Sequence, residues 1–331
     1  MHIQRVFTEL ILLTCCLFSA IGIHAGNPGK SMLSRQRVIL DTDIDSDVDD
    51  VGALAMLLNL HKEGCVNLLG VITTSDDPYA PVCESSINNW YGYPDLPVGF
   101  NMGQPSLVNH SRYTQFIANE FPPKISSWHE AAESTTLYRR LLDQSPDGSV
   151  TLITIGHLSS LQKLLQSPGD QISALDGVAL FRKKIKRWIC MGGQFPNGKE
   201  ANFSRPDPLS TIYCINHCDK EIIFCGWEVG NKVITGGINL RNRLNPHHPV
   251  YRAYELYNHF AGRQSWDQIA ILQLTAKADQ LFSYSTNGCC LVTPDGSNQW
   301  TTMKCGNQRY VILKPSVNWS EVVSAVEGLI Y

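Results

Sequence analysis

Six of the ten residues in Asp41–Asp50 (DTDIDSDVDD) are aspartates, and the run directly follows the short apolar segment Arg37–Leu40. Carboxylates this close together repel one another and raise each other's pKa, so a folded loop that keeps them needs a compensating positive charge. A hard divalent cation supplies that charge, and Ca²⁺ accepts about six to eight oxygen ligands. The run therefore predicts a divalent cation, with Ca²⁺ favoured, at the end of a strand.

Three other kinds of structure could contain such a run. An EF-hand loop requires glycine at its sixth position and glutamate at its twelfth, where Ser46 and Gly52 stand, and it follows a helix rather than a strand. A phosphotransferase with Asp41 as nucleophile and Asp43 as acid leaves the second acidic half of the run unexplained. A solvated acidic turn that caps the next helix stays open as a purely structural alternative, although fewer carboxylates would suffice for it.

The rest of the chain alternates between short apolar stretches and amphipathic stretches. The apolar stretches predict strands at Arg37–Leu40, Val66–Thr73, Val150–Ile155, Arg187–Met191 and Glu221–Cys225. The amphipathic stretches predict helices that include Val51–His61, Ser85–Tyr91 and Ser159–Gln166. Strands alternating with helices indicate βαβ units, so we expect an α/β fold with a Rossmann-like, mostly parallel sheet flanked by helices.

Polar or glycine-rich loops follow the predicted strands. These loops are Asp41–Asp50, Thr74–Asp77, Gly156–His157, Gly192–Asn202 and Gly226–Gly230. In open α/β sheets, ligands bind beyond the carboxyl ends of the strands. We therefore expect the five loops to meet at one edge of the sheet and to form a single site there.

Charge and composition favour a small ligand. The chain has 331 residues, 43% of them hydrophobic, and a net charge of −3. That balance is ordinary for a globular protein and offers no basic surface for a nucleic acid polymer or an acidic membrane. A small neutral molecule is the expected partner.

The first 25 residues form a separate segment. Arg5 precedes the apolar run Leu10–Ile23, which is short for a membrane span, and Ala25 follows with small residues nearby. This pattern predicts a signal peptide at residues 1–25, removed from a single domain at 26–331. We expect a secreted protein with no membrane attachment after cleavage.

Cysteines and sequons suit a secreted glycoprotein. Of the 11 cysteines, Cys15 and Cys16 lie in the signal segment, so an odd number remains and at least one is unpaired or linked between chains. Cys190 and Cys225 lie in predicted strands, which favours free buried thiols. The N-x-S sequons are Asn109, Asn202 and Asn318.

Several segments, in order, resemble those of the inosine/uridine-preferring nucleoside hydrolase family. The aspartate run resembles the longer form of the family's D-T-D-x-G…D-D motif, and the resemblance extends from Arg37 to the C-terminus. The later segments are TIGHLSSL (Thr154–Leu161), MGGQFPNGKEANF (Met191–Phe203), RPDP (Arg205–Pro208), FCGWEVG (Phe224–Gly230) and GRQSWDQIA (Gly262–Ala270). Each is weak alone, but their order makes the resemblance specific.

The resemblance implies hydrolysis of the N-glycosidic bond of ribonucleosides, giving ribose and a free base, as in purine and pyrimidine salvage. The transition state is oxocarbenium-like, so the site must hold the ribose and present an activated water. By resemblance, Asp43 is a Ca²⁺ ligand and the general base. Asp50, the backbone carbonyl of Ile155 and Asp267 complete the ligand set. Family members commonly form dimers or tetramers, so a homo-oligomer is expected by analogy alone.

The resemblance also assigns the substrate contacts. Asp49, Glu200 and Asn202 correspond to residues that contact ribose hydroxyls. Glu228 is expected to reach the sugar, as is Asp77, although the alignment slips there and Asp76 is the alternative. Asn202, though a sequon, is expected to stay unglycosylated because it folds inward.

Five residues depart from the family pattern, and two of them, Ser160 in place of an asparagine and Ala201 in place of an aromatic residue, carry no further expectation. Asp45 replaces a glycine of the first motif and leaves the loop slightly altered or points to solvent. Trp266 stands where several members place the histidine that protonates the leaving base, and it could stack on a base instead. His157 replaces a proline and could supply the missing acid, although an ordinary turn histidine is the simpler interpretation. The alternative function is therefore a catalytically weak relative that binds Ca²⁺ and a ribosyl ligand without efficient turnover.

Overall fold

The computed structural model describes residues 35–101, 111–303 and 307–331. The predicted signal peptide, the sequon Asn109 and Cys305 lie outside the described residues. Arg35–Tyr331 forms one compact unit. In the described ranges, every helix is too short or too polar to cross a membrane.

The strands confirm the predicted alternation with helices. They are β1 (Gln36–Thr42), β2 (Val66–Thr73), β3 (Val98–Phe100), β4 (Ala132–Glu133), β5 (Val150–Thr154), β6 (Ile185–Met191), β7 (Asn197–Lys199), β8 (Glu221–Cys225), β9 (Ile234–Thr235), β10 (Arg263–Gln264), β11 (Phe282–Tyr284), β12 (Cys289–Val292), β13 (Ser297–Thr301) and β14 (Gln308–Leu313).

The helices are α1 (Asp49–Lys62), α2 (Ala80–Trp90), α3 (Thr114–Glu120), α4 (Ser134–Asp143), α5 (Ser159–Gln166), α6 (Gly177–Lys184), α7 (Ala201–Ser204), α8 (Pro208–His217), α9 (Trp227–Gly230), α10 (Ile238–Arg243), α11 (Pro249–Asn258), α12 (Trp266–Leu272), α13 (Ala276–Leu281) and α14 (Trp319–Ile330), with a 3₁₀ turn at Trp128–Glu130. Helix α2 begins earlier than expected, because Pro81 lies in its first turn, where the fixed φ of proline is favourable.

The central sheet has nine strands in the order β11-β14-β8-β6-β5-β1-β2-β3-β4. Every neighbouring pair is parallel except β11 and β14, which are antiparallel. The expected mostly parallel α/β fold is therefore confirmed. Two smaller antiparallel sheets, β12-β13-β7 and β10-β9, lie outside it.

Apolar side chains cover both faces of the central sheet. Along β1, Val38 and Leu40 belong to one buried cluster with α1, while Ile39 belongs to another with α4 and α5. Successive strand residues point to opposite faces, so a strand buried on both sides reads as a continuous apolar run. Cys190 and Cys225 are free and buried, as expected, whereas Cys289 is disulfide-bonded.

Candidate active site and metal centre

Loops that follow the parallel strands enclose a cavity of about 890 Å³ at the carboxyl edge of the central sheet. It lies in the upper part of the range of about 300–1,000 Å³ found for small-molecule sites. The predicted residues that line it are Asp43, Asp49, Asp50, Ile155, Glu200, Asn202, Trp266 and Asp267. The fold thus brings together residues that are more than two hundred positions apart in sequence.

The structure does not bring Asp77 or Glu228 to the cavity wall. Asp77 accepts the backbone N–H of Tyr79 at 2.9 Å and the hydroxyl of Thr114 at 2.5 Å, so its carboxylate is turned into the protein, whereas Asp76 lines the cavity. Glu228 accepts the Phe195 N–H at 2.9 Å. Both carboxylates are drawn to nearby backbone or hydroxyl donors instead of the open space.

The floor of the cavity is acidic. Burial and the charges of Asp49, Asp50 and Asp43 raise the pKa of Asp267 well above its usual range. Asp50 likewise has its pKa raised by burial and by Asp43, while Thr42 donates its hydroxyl to Asp50. Asp43 is half-buried. Its pKa is raised mainly by burial and, to a smaller extent, by the negative charges of Asp45 and Asp47. Carboxylates that disfavour one another's ionisation in this way form a set of hard oxygen donors that fits a divalent cation.

A second grouping overlaps this floor. One carboxylate oxygen each from Asp47, Asp49 and Asp50 lies within 4.8 Å of the others, which makes the cluster one that could hold a metal ion. The grouping shares only Asp50 with the ligand set expected from the sequence. In this cluster Asp47 already has a cationic partner, because Arg263 donates to it at 2.6 Å.

Asp49 also has a backbone role. Its Oδ2 accepts the N–H groups of Trp266 at 3.1 Å and Asp267 at 3.3 Å, which are the first two residues of α12. A carboxylate at a helix N-terminus satisfies amides that have no partner within the helix. Asp49 therefore fixes the position of Asp267 relative to the aspartate loop, and Asp267 is not the N-cap, which is Ser265.

Glu200 and Asn202 lie together in the cavity lining, beside Ile155. Glu200 accepts the N–H groups of Gly193, Asn202 and Phe203, while burial raises its pKa. The Asn202 side-chain amide donates to the carbonyl oxygen of Ile155 at 3.0 Å. The carbonyl expected to be a metal ligand is thus beside the amide expected to contact ribose, and its oxygen retains a second lone pair.

Several residues that support the site were not assigned from the sequence. Asp41 accepts the hydroxyls of Thr74 at 2.6 Å and Tyr138 at 2.5 Å, and burial raises its pKa to about 7. Ser75 donates to Asp45, which is buried and has no positive φ, so the substitution of glycine there causes no backbone strain. Thr74 and Ser75 directly follow β2, and this pair of hydroxyl side chains was the sequence signal for the contacts from Thr74 to Asp41 and from Ser75 to Asp45.

Trp266 and His157 are the two residues that the sequence suggested in connection with the leaving base, and both line the cavity. Trp266 donates its indole N–H to the carbonyl of Trp227 at 3.1 Å, which fixes its ring. His157 lies beside Ser159, and burial lowers its pKa to about 4. The imidazole is therefore neutral at neutral pH and a poor proton donor.

Gly156 presses against Asp43. A Cβ at this position would lie 2.6 Å from Asp43 Cγ and 2.7 Å from its Cβ. We expect Gly156→Ala to displace Asp43, the expected general base, and to lower kcat by about 10-fold or more, since small misplacements of such a group are costly. Steady-state assays would measure the effect. The control is Gly328→Ala in α14, where a Cβ meets nothing within 4 Å; equal activity of the two variants would contradict this role.

The sequon at Asn202 is expected to carry no glycan. Its side-chain nitrogen, the atom a glycan would occupy, already contacts the Ile155 carbonyl and faces the cavity. Peptide mapping by mass spectrometry checks this, with Asn318, at the N-cap of α14, as the comparison sequon. Full occupancy at Asn202 would exclude it from substrate binding.

Comparisons with known proteins show that the fold is shared. Among solved structures, a plant nucleoside hydrolase has a TM-score of 0.68 at 18% identity, over 89% of this chain and 98% of that chain. An inosine-uridine preferring nucleoside hydrolase from Bacillus anthracis has a TM-score of 0.65 at 18% identity, over 89% of this chain and 99% of that one. A type III effector protein in complex with adenosine diphosphate ribose has a TM-score of 0.65 at 14% identity, over 89% and 92%.

Identities this low establish the fold alone. No curated protein sequence matches the chain. The model of one family, described as inosine-uridine preferring nucleoside hydrolase, matches residues 38–304, which is most of the chain. Together with the fold, this match supports hydrolysis of N-glycosidic bonds as the general class of reaction. The chain belongs to the inosine-uridine preferring nucleoside hydrolase family.

Proposed function

We propose that this protein is a secreted, Ca²⁺-dependent ribonucleoside hydrolase that releases a free base and ribose. The observation that carries the proposal is the meeting of Asp43, Asp50 and Asp267 at the floor of one cavity with Glu200 and Asn202 on its wall. The sequence resemblance assigns these residues to the family's metal and ribose positions, and their chemistry suits a polyhydroxylated neutral sugar.

The ion is assigned to the Asp43, Asp50 and Asp267 side of the floor. Arg263 forms an ion pair with Asp47, whereas Asp43 raises the pKa of Asp50, and both of these carboxylates raise the pKa of Asp267. Ca²⁺ bound there would orient the sugar hydroxyls and the attacking water and would lower the pKa of that water.

The remaining chemistry belongs to side chains of this chain. Asp43 is open to the cavity and takes the proton of the attacking water. Asp49, Glu200 and Asn202 hold ribose hydroxyls, so the sugar is fixed while the bond from its anomeric carbon to the base nitrogen breaks. Such positioning converts an intermolecular reaction into one between prearranged groups.

The decisive experiment is base release from inosine, uridine and p-nitrophenyl riboside, with Ca²⁺, after EDTA, and after readdition of Ca²⁺ or Mg²⁺. We expect activity that EDTA abolishes and Ca²⁺ restores better than Mg²⁺, because Mg²⁺ demands a tighter octahedral site. Absence of base release from every riboside at excess Ca²⁺ would reject the proposal.

The second candidate function is binding of a ribosyl ligand without efficient turnover. The observation that favours it is Trp266, which stands in place of a proton-donating histidine. Calorimetry with ribose and Ca²⁺ distinguishes the two, since saturable binding without turnover of any riboside would support this alternative. The secreted location is tested separately by N-terminal sequencing of protein recovered from the medium, where cleavage after Ala25 is expected.

A further inference from the structure

Arg263 presents a guanidinium to the same part of the cavity wall as Trp266. Its Nη2 donates to Asp47 Oδ2 at 2.6 Å. Its guanidinium carbon lies 4.8 Å from the ring centroid of Trp266 and 5.7 Å from that of Tyr257. The side chain is about 25% exposed. A carboxylate and two aromatic rings therefore hold this arginine in one orientation, which limits the entropy lost when it binds a ligand.

This wall is where a base would lie. The proposed function places the ribose at the acidic floor, so the aglycone would extend towards the other lining residues, which include Trp266 and Arg263. Trp266 and Trp227 line the cavity next to that floor, and the hydrogen bond between them fixes an aromatic surface. A flat heteroaromatic base can stack on such a surface.

Breaking the glycosidic bond places an electron pair on the base. That charge must be met by a proton or by a fixed positive group. Arg263 lines the cavity and its side chain is about 25% exposed there, so its guanidinium can face a ligand that occupies this part of the cavity.

We propose that Arg263 stabilises the negative charge that develops on the leaving base, in place of proton transfer by a histidine. This inference rests on the proposed function. The C1′–N bond breaks and its electron pair stays on the base nitrogen, while the water oxygen bonds to C1′ and Asp43 takes the water proton. The base leaves as an anion that Arg263 holds, and it is protonated by solvent after release.

The first test compares two leaving groups in Arg263→Gln. We expect kcat/KM for inosine to fall about 100-fold, which is the scale of losing one donor to a developing anion. The value for p-nitrophenyl riboside should stay within about 3-fold, because nitrophenolate leaves without assistance. Arg263→Lys keeps a charge and should recover part of the inosine activity without restoring it, since lysine lacks the planar donor fork.

The matched control is Arg112→Gln. Arg112 lies 5.3 Å from the ring centroid of Tyr257, the same ring that Arg263 faces, but it does not line the cavity. Unchanged inosine kinetics are expected for this variant. The proposal would be overturned if Arg263→Gln lowered kcat/KM equally for inosine and p-nitrophenyl riboside, because that result would indicate a structural role. It would also be overturned if kcat/KM for inosine did not change.

A binding measurement separates this inference from the proposed function. By tryptophan fluorescence or calorimetry, the wild-type protein should bind urate, an anion at neutral pH, about 10-fold more tightly than neutral hypoxanthine, on the scale of a charge-assisted bond. Arg263→Gln should lose that preference. A protein that hydrolyses no riboside but keeps an Arg263-dependent preference would refute the function and support the cationic subsite. The absence of any preference in the wild-type protein would overturn the inference, whatever the turnover.

Discussion

Asp43→Asn is expected to lower kcat for base release by at least about 10³-fold, because one substitution removes both the proposed general base and a proposed metal ligand. The amide has the same shape as the carboxylate, so the loop between β1 and α1 should keep its fold. Stopped assays under saturating inosine and Ca²⁺ would measure the loss, and far-ultraviolet circular dichroism would confirm that the variant is folded.

The control for the Asp43 variant is Asp95→Asn. The Asp95 side chain is 86% exposed and pairs with Lys124 at the surface, where an ion pair contributes little. Its kcat should stay within about 2-fold of the wild-type value, since a single surface charge far from the cavity has little influence after screening by salt. A value for Asp43→Asn above a tenth of the wild-type kcat would rule out Asp43 as the base.

Asp267→Asn is expected to weaken Ca²⁺ binding at least about 10-fold, because affinity follows the number of charged ligands. Wild-type protein at a Ca²⁺ concentration 100 times its dissociation constant should gain about 2.7 kcal/mol of stability. The variant should gain much less at the same concentration. Calorimetric titration gives the affinity, and thermal unfolding with and without Ca²⁺ gives the stability.

Without Ca²⁺ the same variant should be more stable than the wild type at neutral pH. Burial and the neighbouring carboxylates raise the pKa of Asp267 well above its usual range, so the folded state binds more protons than the unfolded state. The stability that protonation of Asp267 contributes is present at low pH, and it is lost as the pH rises through the folded-state pKa of this carboxyl. The advantage of Asp267→Asn should therefore shrink as the pH falls towards the unfolded value. A metal-free variant less stable than the wild type at neutral pH would instead indicate a structural role for this carboxylate.

The sequence by itself determined the fold class and the edge at which the site lies. Strands such as Val66–Thr73 and Glu221–Cys225 are predicted at their observed bounds, since a strand buried on both faces is a continuous apolar run. The C-termini of parallel strands share one edge, so loops that follow them must converge there. For that reason Asp43 and Asp50 could be placed at this edge before any contact was known, whereas Asp267, which follows no strand of the central sheet, was placed beside them by the family resemblance.

Tertiary structure alone decided where each polar side chain points within that edge. Asp77 turns to Thr114 and Glu228 to the amide of Phe195, while Asp47 pairs with Arg263, which lies 216 positions away. A carboxylate forms its strongest contact with whichever unsatisfied donor the fold brings within about 3 Å, and those donors come from segments distant in the chain. Spacing along the sequence carries no record of that proximity. The location of the aspartate cluster could therefore be predicted from the sequence. Which aspartate faces a metal ion, the sugar, the N-terminus of α12 or Arg263 depended on packing.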